Sequence, residues 1–210
     1  MKEYITIKEN AETKIIEKKS KFIANLFYVE NISQVESKIK EIRKKYFDAK
    51  HHCFAYRILE NEMIIEKSSD DGEPSGTAGQ PMLSILKNNN LVNVIIIVTR
   101  YFGGILLGTG GLVKAYSESL LEAIKETTKV KKIKGYELEV SLEYSDFENF
   151  KYYCKNKDIN IKDVKYIEYI VCKIELEADA KSILIEDFES KKIKLKDIKD
   201  LSIKYISKSI

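Results

Sequence analysis

The sequence predicts an α+β protein of two domains. Three observations carry this. The first part reads as strands, then a helix, then a hairpin. The hydrophobic pattern restarts near Gly135. After that restart the element order is βαββαβ, the ferredoxin-like split unit. A boundary at 132–136 gives domains 1–133 and 134–210.

Each element has its own signal. Residues 14–29, "KIIEKKSKFIANLFYV", are two strand-like runs around a polar turn at Lys18–Ser20. Ile32, Val35, Ile39, Ile42 and Tyr46 recur at helical spacing, with Ser33 and Glu36 placed as a capping box. Residues 51–58 and 62–67 read as paired strands, and alternation puts His51, Cys53, Ala55 and Arg57 on one face. "MLSILKN" is a short helix, with Thr77 as its expected cap and Pro81 in its first turn. "LVNVIIIVT" (91–99) is apolar on both faces, so it is a central strand. A helix follows with Leu112, Tyr116, Leu120 and Ile124 on one face.

In the second domain, residues 136–144 alternate strictly. Tyr136, Leu138, Val140, Leu142 and Tyr144 share one face, and the other is mostly Glu. Ser145 and Glu148 are expected to cap a helix carrying Phe147, Phe150 and Cys154. Strands near 159–166 and 169–177, a helix through Ile183, Leu184 and Phe188, and a strand near 199–206 complete the unit.

Composition excludes several classes. The 210 residues are 44% hydrophobic and 33% charged, with a net charge of +3. There is no strong overall pull toward nucleic acid or membrane. The N-terminus is polar, and the longest apolar run, 94–98, is too short to span a bilayer. A cytoplasmic location is expected. Cys53, Cys154 and Cys172 form no CxxC pair, so buried thiols are expected rather than disulfides or a zinc site. Residues 136–210 hold 14 Lys against 16 Asp and Glu, so the excess positive charge lies in the first domain.

Eight of the nine glycines and both prolines fall between Gly72 and Gly111, so the special backbone geometry is concentrated there. "RYFGGILLGTGGLVKAY" (100–116) resembles a phosphate loop but matches neither GxxxxGK[ST] nor GxGxxG. The helix it opens has no Asp or Glu in its first turn. Bare backbone at Gly103, Gly104, Gly108, Thr109, Gly110 and Gly111, beside Arg57, Arg100 and Lys114, is a candidate anion or nucleic-acid site. Close helix–sheet packing is the competing use of the same glycines. In 70–81, Asp70, Asp71 and Glu73 stand within four residues. They fit either a turn bonding its own N–H groups or an oxygen-rich cation site, and the turn is preferred. His51, Thr77, Gln80, Tyr101 and Phe102 complete the candidate surface. No metal, cofactor or catalytic set is assigned.

"HHCFAYR" (51–57), "DDGEPSGTAGQPML" (70–83) and "VTRYFGGILLGTGGLVKAY" (98–116) resemble the signature of the IMPACT family, whose bacterial members are the YigZ-type proteins. The family pattern has lysine or a similar residue where Leu106 stands and commonly arginine where Lys114 stands. The resemblance implies an N-terminal ribosomal protein S5 domain 2-like fold. It also implies a C-terminal ferredoxin-like domain similar to the last domain of elongation factor G. In eukaryotic relatives the domain is linked to translational control.

The leading expectation is therefore a non-enzymatic, translation-associated factor. It binds RNA or the ribosome through the glycine-rich face, with Arg57, Arg100 and Lys114 on phosphate and Arg100 charged at the surface. No DNA specificity is evident. A protein-interaction module anchored by Tyr101 and Phe102 is the second reading, and a phosphate- or nucleotide-dependent enzyme is the third.

Overall fold

The computed structural model describes residues 2–210. The chain divides into two compact units, one built on Tyr4–Lys131 and one on Lys132–Lys208.

The first unit contains β1 (Tyr4–Ile7), β2 (Ala11–Glu17), β3 (Ser20–Tyr28), α1 (Ile32–Lys45), β4 (His51–Glu60), β5 (Met63–Ser69), α2 (Gly79–Asn88), β6 (Val94–Tyr101) and α3 (Gly108–Lys125). Its main sheet has the order β2-β3-β6-β4-β5, with every neighbouring pair antiparallel. Lys18 and Lys19 have positive φ, making the two-residue turn that joins β2 to β3.

β6 is the centre of the sheet, and helices cover both faces. Val94, Ile96 and Val98 pack with Cys53, Ala55 and Phe22 beneath residues of α2 and α3. Ile95 and Ile97 face the other way, with Tyr56, Ile58 and the α1 residues Val35 and Ile42. This explains the doubly apolar run in an antiparallel sheet. The strand starts at Val94 rather than at residue 91. Asn93 has positive φ, and Leu91 forms an isolated bridge with Ile5.

The capping box expected at Ser33 and Glu36 is displaced. Asn31 is the N-cap, and its side chain accepts from the Gln34 amide. Asn31 is as good a cap as serine, and two residues earlier it brings Ile32, the first residue of the apolar stripe, inside the helix.

The second unit contains all but the first three residues of β7 (Lys129–Leu142), α4 (Phe147–Asn156), β8 (Asn160–Tyr166), β9 (Ile170–Leu176), α5 (Ala178–Glu189) and all but the last residue of β10 (Asp197–Ser209). The strands lie in the order β10-β7-β9-β8. Leu138, Val140, Leu142, Ile170, Cys172, Ile174 and Leu176 form one buried face with Phe147, Phe150 and Cys154 of α4 and Leu184 of α5. Ser145 and Glu148 do not cap α4. A single 3-10 turn, Tyr144–Asp146, leads into it instead. Gly135 lies inside β7, where a Cβ would meet the Ile206 side chain at 2.6–2.7 Å. This glycine marks close approach of β10, not a break in the chain.

Candidate functional site

The segment after β5 folds around its own carboxylates. Asp71 and Gly72 have positive φ, so the chain reverses at once. Asp70 Oδ2 then accepts from the Gly76 amide at 2.8 Å, and Oδ1 accepts from the amides of Ala78 and Gly79 at 2.9 and 2.8 Å. Asp70 therefore caps α2 from eight residues upstream. Burial pushes its carboxyl up, but the three backbone donors outweigh burial and hold it below the usual carboxylate value. Thr77, the expected cap, instead donates its hydroxyl to the Pro74 carbonyl at 2.7 Å. Gln80 is exposed and donates to the Ser68 hydroxyl.

Asp71 binds outward from the same turn. Its Oδ1 accepts from Arg43 at 2.5 Å, and its Oδ2 accepts from the His52 amide at 2.7 Å. His51 Nδ1 lies 2.9 Å from the Asp71 carbonyl oxygen. Burial lowers the pKa of the His52 ring, which sits against the Tyr46 carbonyl. Among the described residues no group of three or more His, Cys, Asp or Glu is placed to hold a metal ion.

Glu73 points inward. Arg100 Nη1 lies 2.8 and 3.0 Å from its two oxygens, and the Tyr116 hydroxyl donates to it at 2.8 Å. The Cys53 thiol reaches the Tyr116 hydroxyl at 3.3 Å and the Asp70 carbonyl at 2.9 Å. The Arg100 guanidinium lies 5.5 Å from the Phe22 ring centre and 5.6 Å from that of Phe102. Arg100 is thus buried, and the expectation of a surface charge is corrected. On β6 it continues the face of Val94, Ile96 and Val98, which α2 and α3 cover.

Arg57 is corrected in the same way. It follows Cys53 and Ala55 on the covered face of β4. There it bonds Glu66 Oε1 at 2.8 Å, the Leu91 carbonyl at 3.0 Å and the Leu86 carbonyl at 3.4 Å. The carbonyl of Leu86 is in the last turn of α2, so Arg57 supports that helix end.

The glycines divide by use. At Gly103 a Cβ would fall 2.0–2.3 Å from backbone atoms of Lys19 and Ser20, and its amide donates to the Ser20 hydroxyl at 3.1 Å. Gly111 lies within 3.0 Å of the Leu107 side chain by the same measure. These two serve packing. Gly104 and Gly108 have positive φ with open space around them, and Gly110 also faces open space. Gly108, Thr109 and Gly110 are exposed, no side chain caps α3, and its first turn holds no acidic residue.

The surface left at this end is mainly apolar. Phe102 is 57% and Leu106 82% exposed, with Ile105 and Val113 also exposed. Lys18 and Lys19 flank it through the turn that touches Gly103, and Lys114 stands 3.7 Å from Glu118. Tyr101 is only half-exposed. Its hydroxyl donates to Asp48 at 2.6 Å, a bond that pushes its pKa up to about 12. It is a tethered ring rather than a free anchor.

Residues 18–124 match the family model described as the Impact N-terminal domain. The chain is 35% identical to the IMPACT family member YvyE of Bacillus subtilis over 210 residues, covering 99% of this chain and 95% of that protein. The chain belongs to the IMPACT family. It is also 34% identical to the family member YigZ of Escherichia coli over 162 residues, 77% of this chain and 79% of the other. A solved structure titled as an hypothetical protein aligns over 96% of this chain and 98% of its own, with a TM-score of 0.61 and 28% identity.

The IMPACT signature therefore coincides with the turn, ion pair and loop described above. Sequence reasoning missed three members of the buried network: Ser20, Cys53 and Tyr116. Tyr116 carried a signal, since a phenol on the apolar stripe of a helix needs a buried partner. No helix of the described residues is long and apolar enough to cross a membrane.

Proposed function

We propose that this IMPACT-family protein is a cytoplasmic factor in translational control that acts by binding. Its first unit engages a protein partner through the loop Phe102–Leu107 and the first turn of α3. The observation that carries this is the exposed apolar pair Phe102 and Leu106 on a loop whose base is fixed by the Arg100–Glu73 ion pair. An exposed apolar patch on a rigid base suits a protein interface. Burial of Arg57 and Arg100 takes from RNA the two strongest phosphate ligands the sequence offered.

RNA or ribosome binding is the second reading. It is favoured by the uncapped, exposed start of α3 together with Lys18, Lys19 and Lys114. We also read residues 1–133 as S5 domain 2-like and residues 134–210 as ferredoxin-like. The order β10-β7-β9-β8 supports the latter.

The deciding experiment recovers tagged protein from its own lysate with and without ribonuclease, beside a Phe102→Ala/Leu106→Asp variant. The reading expects a discrete protein that resists ribonuclease and is lost with the variant. Recovery that depends on RNA and ignores the variant selects the RNA reading instead.

A further inference from the structure

The second unit holds a concave site that the family signature does not reach. A cavity of about 390 Å³ opens between α4 and residues 192–194 of the segment linking α5 to β10. That is within the usual range for small-ligand pockets, roughly 300–1,000 Å³. Buried Phe150 and Ile193 are among its lining residues.

The exposed side of α4 lining this cavity is unusual in chemistry. Asn149, Tyr152, Tyr153 and Asn156 follow the i, i+3, i+4, i+7 spacing that gathers residues onto one helix face. That stripe presents amides and phenols. Opposite stand Lys192 and Lys194, and Lys157 closes the end of the helix. Asp146 is the one carboxylate of the lining, against three lysines. Lys192 is held in place, since Asp187 takes its ammonium at 3.2 Å and the Tyr153 hydroxyl at 2.9 Å. Neither Lys157 nor Lys194 forms an ion pair among the described residues. Tyr152 is 70% exposed, so a face of its ring is open to a ligand.

Each part answers one part of the same ligand class. Ammonium groups neutralise phosphate. An open phenol ring stacks on a base, whatever the base. An asparagine amide offers a donor and an acceptor together, which suits the edge of adenine. We propose that this cavity binds an adenine nucleotide, with Tyr152 on the base, Asn149 and Asn156 on its edge, and Lys157, Lys192 and Lys194 on phosphate. The nucleotide is either free or part of a single-stranded RNA. The site is in the second unit and stands or falls independently of the loop at Phe102–Leu107.

The test uses the full chain labelled with nitrogen-15. Its amide spectrum is followed during titrations with AMP, inorganic phosphate and an adenosine hexanucleotide. Saturable shifts confined to residues 149–157 and 191–194 are expected with AMP, at lower concentration than with phosphate. Lys157→Glu/Lys194→Glu should weaken AMP at least tenfold, and Tyr152→Ala by about tenfold, consistent with stacking energies of roughly 1–3 kcal/mol per base. Should the double variant misfold, Lys194→Glu alone and Tyr152→Ala, both at exposed positions, carry the same comparison. A hexanucleotide that binds more tightly than AMP identifies an RNA site, and equal affinity identifies a free-nucleotide site. The proposal is overturned if neither adenine ligand saturates these amides. It is equally overturned if AMP binds no better than phosphate, or if folded variants bind as the parent does.

Discussion

Arg100 and Glu73 form an ion pair inside the first unit, with their side chains 7% and 3% exposed and Nη1 within 3.0 Å of both carboxylate oxygens. It ties the turn after β5 to the end of β6, and Tyr116 extends the tie to α3.

Removing one partner leaves a buried charge unpaired. Arg100→Ala should cost about 3–5 kcal/mol of folding stability. Glu73→Ala should cost a similar amount. The double variant should lose clearly less than the two losses combined, because the two sites are coupled. Urea unfolding of the four proteins measures this. A near-neutral Arg100→Ala would restore the surface arginine that the sequence suggested.

Asp70 predicts a pH dependence. Its folded pKa is lowered from 3.8, so its contribution is present above that value and is lost as pH falls through the folded pKa. Asp70→Ala should cost about 1–2 kcal/mol at pH 7 through loss of the cap. The gap between parent and variant should narrow on acidification below pH 4. A gap that is constant from pH 7 to pH 2 would show that the carboxylate charge plays no part.

The glycines should separate on substitution. Gly103→Ala forces Cβ into the Lys19 and Ser20 backbone and should destabilise by about 3 kcal/mol or more. Gly110→Ala meets nothing within 4 Å and should stay within about 0.5 kcal/mol of the parent, on the stabilising side. Thermal unfolding distinguishes them, and equal losses would contradict the division of roles.

All three cysteines are buried, and burial pushes the thiols of Cys53 and Cys154 up to about 12 and that of Cys172 up to about 11. Native protein at pH 8 should react with a thiol reagent only at the rate of unfolding, and three thiols should appear together in denaturant. A rapidly modified native thiol would disprove this.

The sequence was most readable where a period was long. The α3 stripe Leu112, Tyr116, Leu120 and Ile124 is buried throughout, and the alternating face of β7 forms the second core. The site was harder. Alternation correctly grouped Arg57 with Cys53 and Ala55, but an arginine among core residues was read by its charge rather than by its face. Its partners, Glu66, the Leu86 carbonyl in the last turn of α2 and the Leu91 carbonyl just beyond that helix, lie 9 to 34 residues away, and no local pattern announces them. Asp70 bonds N–H groups of its own turn, as expected, but the cap of α2 was placed on Thr77 for a related reason. Capping rules look one residue ahead of a helix, and this cap reaches across a loop.

Helix α2 has ten residues and is held at both ends by the same hairpin. Asp70, just past β5, sits at its start, and Arg57 of β4 sits at its finish. Each charge opposes the dipole at the end it meets. A helix this short is marginal alone in water. It is therefore a dependant of the β4–β5 hairpin, and assembly has an order: hairpin first, helix second. Its amides should therefore exchange with solvent deuterium at least as fast as those of β4 and β5, because the helix opens whenever the hairpin does.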